Sequence, residues 1–113
     1  MNYEIITTDD FESNFKRLAK KYHSLENDYE VLINDLFANP EMGNDLGNNI
    51  RKVRMAIASK NKGKRGGARV ITCNVLVDVV NTDIYLLTIY DKSEQGSVSK
   101  KKIEYLKQTN GLR

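Results

Sequence analysis

The sequence has 113 residues, of which 40% are hydrophobic and 29% charged, and its formal net charge is +3. This length and composition predict a single globular domain over residues 1–113 and exclude a disordered chain or two separate cores. No apolar run reaches the roughly 20 residues of a membrane helix, and the first residues lack the pattern of a signal peptide, so we expect a cytoplasmic protein that contacts no membrane.

The N-terminal half predicts one strand and then a helical hairpin. Ile5 and Ile6 form a short apolar run typical of a strand, and Thr8 to Asp10 provide helix-start chemistry. Apolar residues then recur at steps of three and four in two stretches: Phe11, Phe15, Leu18, Tyr22 and Leu25, and then Tyr29, Leu32, Ile33, Leu36 and Phe37. The second helix should end at Asn39, because a residue before proline leaves the α region. Residues 39–49 are turn-rich and predict a loop.

The second half predicts three strands and a final helix. Basic and apolar residues alternate after Arg51, so a strand would carry Lys52 and Arg54 on one face and apolar side chains on the other. The segments that follow are a basic glycine-rich turn at 59–67, a β-branched strand at 68–80, a turn at 81–83 and a strand at 84–90 that is apolar on both faces. Ser99 is a suitable N-cap for the last helix.

These elements predict an α+β fold with a mostly antiparallel four-stranded sheet, two N-terminal helices packed on one face and a C-terminal helix. We expect the helices to segregate to one side, which would leave the face carrying Lys52 and Arg54 open and basic. Strict alternation puts Arg69 on the face of Ile71 and Cys73, the expected core side. A later strand start, a β-bulge or a structural role would each account for Arg69.

Positive charge is concentrated in one segment of the chain. Residues 1–50 carry a net charge of −6, whereas residues 51–77 contain eight basic residues and no acidic residue. The eight are Arg51, Lys52, Arg54, Lys60, Lys62, Lys64, Arg65 and Arg69. A block of one sign suits a polyanion, because each phosphate contact releases counterions. The pattern therefore favours a nucleic-acid surface over a basic surface without a ligand.

Two stretches carry a family resemblance: KRGGARVI at residues 64–71 and IYLLTIYDKSE at residues 84–94. Together with the IRKVR stretch at 50–54 and the order of elements, they resemble the RelE/HigB branch of the RelE/ParE toxin superfamily over almost the whole chain. The resemblance implies a RelE-like fold and the toxin of a type II toxin–antitoxin system, a ribosome-dependent endoribonuclease that cleaves mRNA in the A site. It also implies a cognate antitoxin, often of the helix-turn-helix type, through which the complex binds operator DNA.

RNA can be cut by its own 2′-hydroxyl, without a metal or cofactor, if an enzyme aligns it, neutralises the phosphate and protonates the leaving 5′-oxygen. Arginine suits the phosphate because its planar fork can hold two oxygens. We assign the chemistry to Arg54, Arg69, Lys92 and Lys52. Arg69 matches the family arginine at the phosphate, Lys92 is placed to act as the acid, and Arg54 and Lys52 would hold the scissile backbone or tune a proton.

RNA binding outside the reaction centre is predicted for Lys60, Lys62, Lys64 and Arg65. Family members often carry a tyrosine or histidine near the last helix, where this chain has Val98 and Ser99, so Tyr90 and Tyr105 are candidates by residue type alone. Cys73 and His23 are the only residues of their kinds, so we expect no disulfide and no metal site. Two other functions stay open: a ParE-like inhibitor of DNA gyrase and a non-enzymatic nucleic-acid-binding module.

Overall fold

A computed structural model describes residues 1–112. In chain order its elements are β1 Asn2–Thr7, α1 Asp9–Lys21, α2 Leu25–Ala38, β2 Asn44–Gly47, β3 Ile50–Met55, a 3₁₀ turn Ala58–Lys60, β4 Ala68–Leu76, β5 Asn81–Asp91 and α3 Lys100–Thr109. The strands of residues 1–112 form one sheet in the order β1-β5-β4-β3-β2, in which β1 and β5 are parallel and the other pairs antiparallel. The predicted α+β class is confirmed. No helix within these residues is long and apolar enough to cross a membrane.

The prediction of four strands is wrong, because β2 lies in the segment predicted to be a loop. Its sequence, NDLG, shows no alternation, and all four of its residues are exposed. β2 forms through backbone pairing with β3, and its register shifts between Asp45 and Gly47. Gly47 has a φ of +87°, which a glycine adopts without strain. A strand of this kind leaves no periodic signal in the side chains.

The turn between β4 and β5 also differs from the prediction, since it lies at 77–80 rather than at 81–83. The side chain of Asp78 accepts hydrogen bonds from the backbone N–H groups of Val80 and Asn81, at 2.9 and 3.0 Å. Asp78 therefore reverses the chain inside a valine-rich run. The exposed residues of this tip include Leu76, Val77 and Val79.

Both faces of the sheet are covered by helices, so the prediction that all helices lie on one side is wrong. α1 and α2 bury one face, where the core includes Phe11, Leu18, Leu32, Leu36, Val53, Val70 and Leu86. α3 packs on the opposite face, where Ile103 and Leu106 join Ile50, Ile71, Cys73 and Leu87. β4 and β5 carry apolar side chains on both faces, and each face must be buried. The predicted N-cap Ser99 is confirmed, because its hydroxyl accepts from the Lys102 N–H at 3.1 Å.

Candidate nucleic-acid interface

Three candidate residues lie side by side across three neighbouring strands. Arg54 of β3 is the register partner of Arg69 of β4, and Arg69 is the partner of Tyr90 of β5. Residues directly opposite one another in a sheet project from the same face. In the next row of this face, Lys52 is the partner of Ile71. We call the surface formed by Lys52, Arg54 and Arg69 the basic face.

Arg69 lies on the face of β4 that strict alternation predicts for it. β4 begins at Ala68, and Arg69 does share a face with Ile71 and Cys73. That face also carries Lys52 and Arg54, because Lys52 pairs with Ile71. The expectation that these apolar residues mark the side opposite the basic one is wrong, because the α3 core and the basic face adjoin on the same face of the sheet. Ile71, the partner of Lys52, and Tyr90, the partner of Arg69, both belong to that core. No bulge is needed to bring Arg69 beside Arg54.

The guanidinium of Arg69 also closes the basic loop, residues 61–67, onto β4. Its Nη1 donates to the carbonyl oxygens of Lys64 and Ala68, each at 3.1 Å, and its Nη2 donates to that of Arg65 at 3.0 Å. Burial lowers the pKa of Arg69, and the positive charge of Arg54 lowers it further. A guanidinium has five N–H groups, so these three bonds leave two unbonded. Arg69 is only 6% exposed, so these two groups would have to be uncovered before a phosphate could reach them. Arg69 thus combines a structural role with a position in the candidate site.

Tyr90 contributes a buried hydroxyl that has no hydrogen-bond partner among residues 1–112. Its side chain is 3% exposed. Burial raises the pKa of Tyr90, and the neighbouring Arg69 offsets part of that rise. The phenol therefore keeps its proton at neutral pH and would have to be uncovered before it could donate to RNA. Of the two tyrosines named by residue type alone, Tyr90 lies in the row with the arginines, whereas Tyr105 is an exposed residue of α3.

The Tyr90→Phe variant is expected to unfold with a free energy equal to that of the parent or up to about 1 kcal/mol higher, because it removes a buried polar group that forms no bond. Urea unfolding monitored by circular dichroism measures this difference. A loss of more than about 1 kcal/mol would mean that the hydroxyl has a partner in solution. The same variant in a cleavage assay separates a packing tyrosine from a proton donor.

The eight basic residues of segment 51–77 differ in whether they form ion pairs. Lys60 is set apart, because its ammonium is 2.7 Å from the Asp91 carboxylate and its side chain is only 8% exposed. Arg51 and Lys64 each lie 3.8 Å from a carboxylate, of Asp45 and Asp35 respectively. The other five form no ion pair within residues 1–112: Lys52, Arg54, Lys62, Arg65 and Arg69. We therefore assign Lys60 to the fold and not to the RNA surface predicted for it.

Asp91 is a residue that sequence reasoning did not single out. Its carboxylate is fully buried on the α1 side of the sheet and accepts hydrogen bonds from Lys60, Tyr22 and the backbone and hydroxyl of Ser93. Burial alone would raise the pKa of Asp91, but these donors outweigh it and hold the pKa well below its usual range. The signal in the sequence was an acid at the end of an apolar strand. The network joins the start of the basic loop to the strand that carries Tyr90.

The basic loop and Lys92 adjoin the same end of the sheet. Lys62, Lys64 and Arg65 are exposed on the loop, and Lys92 is exposed immediately after β5. The backbone N–H of Lys92 donates to the carbonyl of Gly67 at 3.1 Å. A Cβ at Gly67 would lie 2.1 Å from the carbonyl oxygen of Met55, so only glycine permits this approach of loop and β3. The structure thus places these predicted residues near one end of the sheet, and Lys60 lies there too but is turned to the α1 side, where it pairs with Asp91.

No model of a known protein family matches the sequence. Within residues 1–112, no group of three or more histidine, cysteine, aspartate or glutamate side chains could hold a metal ion. The side chains that the candidate site brings to this end of the sheet are those of arginine, lysine and tyrosine. These groups can bind a phosphodiester, stabilise negative charge on it and transfer a proton.

Proposed function

We propose that this protein is a toxin of the RelE/HigB kind, a cytoplasmic endoribonuclease that cleaves messenger RNA in the ribosomal A site. The observation that carries the proposal is the row of Arg54, Arg69 and Tyr90 across three strands, beside further unpaired cations. An RNA phosphodiester needs such a concentration of positive charge, because its transition state carries additional negative charge on the phosphate oxygens. The resemblance of residues 64–71 and 84–94 to this toxin branch supports the same reading.

The residues divide the reaction among them as follows. Arg54 is exposed and binds the scissile phosphate. Arg69 is 6% exposed, so its two free N–H groups stabilise the developing charge only once they are uncovered, as with Tyr90. Lys52 holds the adjoining backbone. The 2′-hydroxyl of the RNA loses its proton to solvent water and attacks the phosphorus, so that a 2′,3′-cyclic phosphate forms as the bond from phosphorus to the 5′-oxygen breaks. The leaving 5′-oxygen takes a proton from Lys92 or, once uncovered, from Tyr90. Lys62, Lys64 and Arg65 bind ribosomal RNA through the exposed loop.

A cognate antitoxin, of the helix-turn-helix type in this branch, would hold such a toxin inactive and carry the complex to operator DNA. The exposed cations of the basic face and basic loop provide a site for an acidic segment of that partner. An antitoxin bound there would compete with RNA for the same charges. Binding of the two should therefore be mutually exclusive.

Programmed ribosomes test the proposal directly. Purified protein added to ribosomes stalled with an empty A site is expected to cut the messenger within the A-site codon, mapped by primer extension, whereas the same messenger without ribosomes stays intact. The Lys20→Ala variant, which removes an exposed charge from α1 on the other side of the sheet, should cut like the parent. Intact messenger together with gyrase-dependent DNA breaks would instead establish the ParE-like function. Salt-sensitive RNA binding without any cleavage would establish a non-enzymatic binding module.

A further inference from the structure

A groove of about 380 Å³ lies next to the basic face, between the β2–β3 hairpin and α3. Its apolar surface comes from Ile50 of β3, Ile103 of α3 and the flanking residues Leu46 and Val98. Leu46 is 43% exposed, so part of its side chain is accessible to a ligand. The groove therefore has an apolar lining and is open to solvent on the side of Leu46.

Two lysines also line this groove, Lys52 from β3 and Lys100 from the start of α3. Neither forms an ion pair with a carboxylate within residues 1–112. Glu104 is the acidic residue of the lining, and its carboxylate lies 3.9 Å from the ammonium of Lys107, so its charge is partly balanced. The unpaired charge at the groove is positive, which complements a phosphate chain and not a basic ligand.

The groove continues the line of the basic face along β3. Arg54, Lys52 and Ile50 alternate onto the same face of the sheet, about 7 Å apart. A chain that places one phosphate on Arg54 therefore meets the second cation at Lys52 and then the apolar floor. A nucleotide offers both chemistries, a charged phosphate and a flat base with apolar faces.

We propose that this groove is a subsite for single-stranded RNA: it holds one base against Leu46 and Ile50, with the flanking phosphates on Lys52 and Lys100. This inference rests on the proposed function, because it assumes that RNA crosses the basic face. It adds a contact outside the reacting phosphate. The subsite therefore contributes to binding of the RNA, and the reaction centre contributes to cleavage.

Binding of a short oligonucleotide tests the subsite apart from cleavage. The probe is a fluorescein-labelled 2′-O-methyl RNA hexanucleotide, which lacks the attacking hydroxyl and so cannot be cut. Lys100→Ala is expected to raise its Kd about fivefold and to reduce the slope of log K against log salt by about 0.7, the value for one phosphate contact on a single strand. Leu46→Ala should raise the Kd about threefold without changing the slope, because it removes an uncharged contact.

Two controls away from the basic face and the groove match these changes: Lys20→Ala on α1 for charge and Val79→Ala in the β4–β5 turn for an exposed apolar side chain. Both should bind within twofold of the parent. If Lys100→Ala and Leu46→Ala also bind the probe with a Kd within twofold of the parent, the subsite is refuted, and a peptide becomes the candidate ligand of the groove. The subsite is refuted as well if the parent does not bind the probe. If the parent cleaves messenger on ribosomes but the groove variants bind the probe as the parent does, the subsite is refuted and the proposed toxin function is not. Groove-dependent binding without cleavage would refute the toxin function and keep the subsite.

Discussion

Replacing Arg54 by alanine is expected to lower messenger cleavage on programmed ribosomes by about 100-fold to 1,000-fold, the usual effect of removing one group that stabilises transition-state charge. The free energy of unfolding should change by less than about 0.5 kcal/mol, because Arg54 is exposed and forms no ion pair within residues 1–112. Single-turnover cleavage and urea unfolding of the same preparation measure the two quantities.

Arg54 is a sharper test than Arg69, although both lie in the row. Arg69 donates three hydrogen bonds to loop carbonyls, so its loss would disturb the fold and the site together. Arg54→Lys keeps the charge but loses the planar fork, and we expect it to retain part of the activity that Arg54→Ala loses. The Lys20→Ala variant again controls for net charge. Parent-like cleavage by Arg54→Ala would remove this arginine from the mechanism.

The second large effect concerns stability and not chemistry. Asp91→Asn is expected to lower the free energy of unfolding at pH 7 by about 3 kcal/mol, because it leaves the ammonium of Lys60 buried without a counter-charge. Such a loss is a large part of the total stability of a domain of this size. Urea denaturation at pH 7 gives the value. A change below about 1 kcal/mol would show that the buried pair contributes little.

The pH dependence of this effect has a definite sign. Since the pKa of Asp91 is depressed in the folded protein, its contribution is fully present above the pKa of an unfolded aspartate, about 3.9, and is lost as the pH falls through the lower folded value. The difference between parent and variant should therefore be constant near neutral pH and shrink below about pH 4. Lys60→Met combined with Asp91→Asn should regain more than half of the loss, because the stranded charge is gone.

The alternation around Lys52 and Arg54 was enough to predict the face on which these cations lie. β3 is a half-buried strand, so Val53 and Met55 enter the α1–α2 core while their neighbours project to the other side. Period-two patterning reports this directly. By the same rule the position of Arg69 was predictable, but the identity of the core side was not, because both faces of the sheet are buried.

Lys60 could not have been separated from the other cations by counting charges. Its partner Asp91 lies 31 residues further along the chain, and only the fold brings the two together. The placement of α3, in contrast, had a signal that was present in the sequence. β5 is apolar on both faces, which requires cover on both, and the final amphipathic helix was available to supply it.

The sheet order has a consequence for how the protein is made. Among residues 1–112, β5 is the last strand in sequence order, yet it lies between β1 and β4, and β1 pairs with no other strand of these residues. During synthesis, β1 therefore has no partner strand until residues 81–91 have left the ribosome. Contacts this distant in sequence slow folding, and we expect the nascent chain to remain inactive until β5 has been synthesised and has paired with β1.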